Sequence, residues 1–449
     1  MKKIYALLIF ASTIAFSPLN AQTDTLFWFV APEATQGHGD RPILIRMSTL
    51  AQASTVTISQ PSNPAFPTQT VNIAANTTSS VDLTPWIDIV ENKPPNAILN
   101  YGILIEATSS ISTYYEISPG CNCNPDIFSL KGKNSLGTDF FIPGQNYLNN
   151  SGYSPTPLNA FDIVATEDNT TITITPINNV FGHNAGIPYT ITLNRGQTYS
   201  ATATSTAAAL HLGGSTVTSD KPIAITVKDD SVNGSPFGGC SDIMGDQIVP
   251  TNLIGDEYIV MKGSLNGPDR IFVIATQNGT SINVAGATVG TINAGQTFAY
   301  NITAPSTYVT TSAPAYLWHV SGFGCEVGGA ILPPVKCTGS QQVGFTRSTT
   351  EYFAINIMVR AGAEGDFTMN GSTTLIPAAV FTPVPNTGGG WVATQLSFPT
   401  STVGVGSANI ISNSTDLFHM GIIHGGGSSG CRYGYFSDFS EYESTASFN

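Results

Sequence analysis

The sequence predicts an all-β protein: four tandem antiparallel β-sandwich-like repeats in contact, with a closed, propeller-like arrangement of the same repeats as the alternative. Three observations carry this. Segments such as Thr171-Ile172-Thr173-Ile174-Thr175 alternate apolar and small polar residues with period two, the pattern of a strand with one buried face. The breaks between such segments carry Asp-Asn, Asn-Arg-Gly and Asp-Lys-Pro, which favour tight turns. The same succession of segments recurs four times along 449 residues, a length well beyond one ordinary core.

Each repeat opens with an aromatic strand, at 27–30, 139–142, 257–260 and 342–345. A second apolar strand follows at 43–46, 161–166, 271–274 and 355–358, then a short alternating strand at 55–58, 171–175, 281–284 and 367–370. A turn-and-strand motif, Gly196-Gln197-Thr198-Tyr199, returns as Gly295-Gln296-Thr297-Phe298, and 217–222 corresponds to 309–314. The fourth copy diverges, with Gly388-Gly389-Gly390-Trp391 in that place. The last strands are expected at 114–117, 223–228, 316–319 and 418–421, each followed by a Gly-rich loop with cysteine. The expected boundaries are 22–138, 139–256, 257–341 and 342–449, the fourth repeat including a C-terminal tail. One short helical turn is expected within 83–90.

Residues 1–21 read as a secretory signal: Lys2 and Lys3, an apolar run from 4 to 16, and cleavage between Ala21 and Gln22. That run is too short to span a membrane, and no transmembrane segment follows. Charged residues make up 10%, far below the usual quarter, so what charge there is stands out. Without Lys2 and Lys3 the balance is 14 Lys and Arg against 29 Asp and Glu, a net −15. Such a surface repels phosphate backbones and argues against a nucleic-acid partner. Six cysteines in an exported chain permit disulfides. Cys325 and Cys337, close in sequence, are the first expected bridge; the pairing of Cys121, Cys123, Cys240 and Cys431 stays open.

Several stretches, Asp40-Arg41-Pro42, residues 124–133, 164–169, 194–199, 240–250 and 322–329, resemble the IgGFc-binding protein N-terminal domain family. That family occurs in a mucus-associated animal protein and in exported bacterial proteins, many of the Bacteroidetes type. The resemblance covers nearly all of the mature chain. It implies a secreted or cell-surface module for binding or adhesion, with an extracellular protein or glycan as partner, and no enzyme.

The residues themselves offer four constellations. His424 and Ser428 lie in a His-Gly-Gly-Gly-Ser-Ser-Gly run that matches two hydrolase patterns, yet no strand-turn-helix surrounds it, so a Gly-rich loop is expected. Asp229, Asp230, Asp242 and Asp246 cluster around Cys240 and are candidate Ca²⁺ ligands, against turn-capping aspartates as the plainer reading. No other cofactor is expected. Trp86 and Trp391, near turns, are candidates for stacking on a ligand, whereas Trp28 and Trp318 sit inside strands and read as core. Asp40-Arg41 and Asp269-Arg270 occupy matching places and are further binding candidates or repeat-defining ion pairs. Two functions follow: an adhesin-like binding protein for glycoprotein, mucus or matrix, or a spacer without its own ligand. A hydrolase is the reading with least support.

Overall fold

The computed structural model describes residues 22–121, 123–234, 238–336 and 338–439. The expected signal segment and Cys337 lie outside the described residues. More than half of the chain is strand, and the one α-helix among the described residues, Ile87–Val90, follows a 3₁₀ turn at Thr84–Trp86.

Three sheets share one topology, organised on a long strand: Ile103–Ile117, Thr216–Gly234 and Ser306–Gly324. In the second sheet the order is Tyr189–Leu193, Thr170–Thr175, Thr216–Gly234, Asn159–Ala165, Thr198–Thr202, and the other two repeat it. The aromatic first strands, Thr23–Phe29, Gly137–Phe141 and Gly255–Met261, pair with the same long strands. Pairing between the strands of the described residues is antiparallel except for Ser264–Leu265 against Phe323 and Gly324. The segments 217–222 and 223–228, separate in the sequence reading, are one strand. Pro222 has no N–H for a ladder, and the register shifts between Thr218 and Ile223 beside it.

The fourth copy splits into a three-stranded sheet, Gln342–Thr346, Ala408–Asn413 and Phe367–Met369, and a five-stranded one centred on Tyr352–Arg360. Its long strand is broken in two, Ala408–Asn413 and Phe418–Gly426. The Asn413 carboxamide accepts the N–H groups of Thr415 and Asp416 and turns the chain out of the sheet.

Each copy ends in a hairpin whose second member is an inner strand: Asp126–Ser129, Gly238–Gln247, Glu326–Ile331 and Gly430–Tyr435. These four pack in succession, and the fourth returns onto the first. The tandem sheets therefore close into a ring. The cores show the same handover. Ile243 from the second inner strand sits in the first core, Val327 and Ile331 in the second, Tyr433 in the third, and Ile127 in the fourth. We propose the four segments set out above as the structural units of this ring, and number them one to four.

Candidate functional site

The inner strands bring charge to the middle of a thinly charged chain. The Asp126 carboxylate accepts N–H groups from its own strand (Ile127, 2.8 Å), from unit two (Gly245, 3.2 Å) and from unit four (Tyr433, 3.2 Å). Asp242 accepts from Val327 of unit three at 2.8 Å, and Asp246 from Ile331 at 3.4 Å. Each carboxylate thus satisfies backbone donors of a neighbouring unit that no ladder reaches. Burial pushes the Asp126 and Asp242 carboxyls well above the ordinary range. Asp246 is also pushed up by burial, against the pull of Lys131, whose ammonium lies 2.8 Å away and is itself pushed down by burial. Between units four and one, Glu116 is held by Arg46 at 2.7 Å and Arg432 at 2.8 Å. Burial would raise its carboxyl, but the two guanidiniums outweigh that and hold it below its usual value.

The four candidate calcium ligands are not brought together around one point. Asp229 accepts from Asn150 and His211, Asp230 from Thr35 and Asn124, Asp242 from Val327, and Asp246 from Lys131. Each is held by its own donors, and one Asp242 oxygen, Oδ1, is left without one. Cys325 bonds to Cys240, not to Cys337, and Cys121 bonds to Cys123. The physical reason is that the hairpin tips of units two and three meet at the seam, which sequence proximity does not reveal. Cys431 is a buried thiol, raised by burial well above its ordinary pKa.

Trp391 is buried, with Arg360 over its ring at 5.0 Å, and offers no stacking surface. Trp86 is half-buried and meets Phe66 edge-on. Asp40 is buried and grips its neighbour Arg41 in a two-pronged pair at 2.7 and 2.8 Å. Asp269 is buried against His319 at 3.2 Å and accepts the N–H of Gly263. Arg270, by contrast, sits over the ring of Tyr147 of unit two at 3.5 Å and reaches the unit seam.

His424 and Ser428 do not form a catalytic pair. His424 is buried in the Phe418–Gly426 strand, its Nδ1 donating to the Tyr352 carbonyl and its Nε2 accepting from the Thr349 N–H. Burial lowers its pKa to about 4. Ser428 is exposed at the tip of the hairpin between that strand and Gly430–Tyr435, and no helix follows among the described residues.

Beside Arg270 the surface changes character. Segments 143–153, 176–190, 203–218 and 285–299 contain no Asp, Glu, Lys or Arg. Five of the eight exposed large apolar side chains of the described residues fall within the first three: Tyr147, Ile177, Phe181, Ile187 and Leu210. Asn178 ties two of these loops together by donating to the His211 carbonyl at 2.7 Å. A groove of about 390 Å³ runs along the seam, lined by Asn146, Ile177, Asn178, Ala209, Gln296 and Thr297. The absence of charge from these loops was visible in the sequence; their convergence was not.

A protein-family model described as IgGFc binding protein matches residues 128–423, about two thirds of the chain. The chain belongs to the IgGFc binding protein family. This is a family of extracellular binding proteins, and no helix of the described residues is long and apolar enough to cross a membrane. No curated protein matches this family member. Among solved structures, an α-L-rhamnosidase from Streptomyces avermitilis complexed with L-rhamnose is 7% identical. The alignment covers 93% of this chain and 57% of that one with a TM-score of 0.12, which shows neither a shared fold nor a shared activity.

Proposed function

We propose that this chain is a secreted or surface-displayed binding protein that engages an extracellular glycoprotein, of the mucus or matrix kind, through the uncharged face across units two and three. The observation that carries this reading is the concentration of exposed Tyr147, Ile177, Phe181, Ile187 and Leu210 on loops without charge. Contiguous apolar surface rimmed by polar groups marks interaction sites on soluble proteins. On a chain of net −13, such a face is where a partner docks without stranding unpaired charges. The groove's Asn and Gln carboxamides suit hydroxyl and amide groups, and Tyr147 supplies a ring for an apolar sugar or side-chain face.

The spacer reading fits less well. Gln22 Nε2 donates to the Ser437 carbonyl at 2.6 Å, so the ring brings the two ends of the described chain together instead of holding them apart. A hydrolase has no support in the His424 and Ser428 geometry. The test is a binding screen of the folded chain against mucins, immunoglobulin Fc and glycan arrays. It is repeated with Ile177→Asp combined with Ile187→Asp. The variant should keep its β signal and bind at least about tenfold more weakly, the loss expected when two apolar contacts are replaced by charge. Undiminished binding by the folded variant rules this face out.

A further inference from the structure

We propose that the hairpin tips of units two and three form a redox-gated site for a soft divalent cation of the Zn²⁺ type. With the Cys240–Cys325 disulfide reduced, both thiolates and Glu326 ligate the ion, and Asp242 supplies the fourth donor. The two Sγ atoms and a Glu326 carboxylate oxygen already lie within 4.8 Å of one another. Tetrahedral zinc, with Zn–S near 2.3 Å and Zn–O near 2.1 Å, asks for ligand atoms about 3.4–3.8 Å apart. The cysteines sit 5.4 Å apart at Cα, so little backbone movement separates the bonded pair from a chelating one.

Asp242 is the independent observation. It is 0% exposed, its Oδ2 takes the Val327 N–H, and its Oδ1 meets no N–H or O–H donor. It faces the Glu326 carboxyl across the seam. An orphaned buried oxygen beside a second carboxyl and two sulfurs is a donor set that a cation completes. Cys240 and Asp242 stand two apart on one inner strand and so share a face, while Cys325 is the turn residue immediately before Glu326, which opens the next. Two sulfurs with two oxygens select a soft ion, whereas calcium takes six to eight oxygens.

The chemistry balances. A dithiol reductant is oxidised to its disulfide as the Cys240–Cys325 bond opens to two thiols. Binding of Zn²⁺ then releases both thiol protons to solvent. A disulfide oxidant takes the two electrons of the thiolates and, with two protons from solvent, leaves as its dithiol; the Cys240–Cys325 bond re-forms, both sulfur ligands are lost and the ion is expelled.

The experiment uses the full chain with Cys121, Cys123 and Cys337 changed to Ser, reduced by a phosphine and titrated with Zn²⁺ by calorimetry and with Co²⁺ by absorption. One equivalent should bind, Co²⁺ should show thiolate charge-transfer and tetrahedral d–d bands, and the oxidised protein should bind none. Glu326→Gln, checked for folding in its oxidised form, should weaken binding by about tenfold or more. Should reduction unfold the metal-free chain, Zn²⁺ should restore the β circular-dichroism signal, and should fail to in the Glu326→Gln protein. Either the absence of a bound equivalent or affinities unchanged in both Glu326→Gln and Asp242→Asn overturns the proposal.

Discussion

Glu116 sits where the ring closes, fully buried between guanidiniums from its own unit and from unit four. Deleting one partner of a buried ion pair strands the others, so Glu116→Ala should cost about 3–5 kcal/mol in denaturant unfolding. Its carboxyl is held below the ordinary value, so its contribution is present above the unfolded pKa and is lost as pH falls through the folded one. Glu91 has the opposite sign. Burial, against the pull of Lys93 at 2.8 Å, raises its pKa to about 7. A raised acid contributes fully below its unfolded pKa and loses that contribution as pH rises through the folded one. Asp162, pushed to about 6 by burial, acts in the same direction. Stability should therefore fall between pH 5 and pH 8, and Glu91→Gln should remove about 2 kcal/mol of that fall. Melts of the two proteins across that range decide it; an unchanged slope in Glu91→Gln counts against the assignment.

Strands were legible in the sequence wherever one face is buried and the other wet. Thr170–Thr175 alternates buried and partly exposed along its length, as its Thr-Ile repetition requires. What escaped was the break that is not a break. Pro222 reads as a strand end, yet it sits in a register shift of a strand that continues to Gly234. Trp391 reads as a turn residue after three glycines, but it opens the strand Trp391–Ser397 and faces inward beneath Arg360. Of the proposed binding residues, only Arg270 reaches the uncharged seam, because proximity across units is set by ring closure and leaves no local trace. The disulfides teach the same lesson. Sequence distance favoured Cys325 with Cys337, whereas the hairpin tips join Cys325 to a residue 85 positions away. In the chain-entropy picture, closing that long loop contributes about 4–5 kcal/mol, against about 1.5 kcal/mol for Cys121–Cys123, two positions apart. Cys240→Ser with Cys325→Ser should accordingly lower the melting temperature more than Cys121→Ser with Cys123→Ser. Equal losses would show that the tips are held by their packing and not by the bond.

At the scale of the molecule, no unit owns its core. Ile243 completes unit one, Val327 and Ile331 complete unit two, Tyr433 completes unit three, and Ile127 completes unit four. A single unit would expose the apolar face its neighbour's inner strand covers, so the four should fold as one cooperative body. The same closure positions the uncharged face, since three of its loops meet the third unit only across a fixed seam. It also separates two kinds of cut. Gln22 and Ser437 are hydrogen-bonded, so a short Gly-Ser linker from Gln22 to Phe439 spans little distance. New ends opened between Ala285 and Gly286, both exposed in a tight turn of unit three, break no ladder and uncover no core. That circular permutant should keep the β circular-dichroism signal and melt in one transition within a few degrees of the parent. Ending the chain after Leu417 instead removes the strands that carry Glu116's partner Arg432 and the Tyr433 and Tyr435 side chains of unit three's core. The truncated protein should lose its cooperative transition although all three shared-topology sheets remain in sequence. If it melts as sharply as the permutant, the units are independent domains and the ring is contact without cooperation.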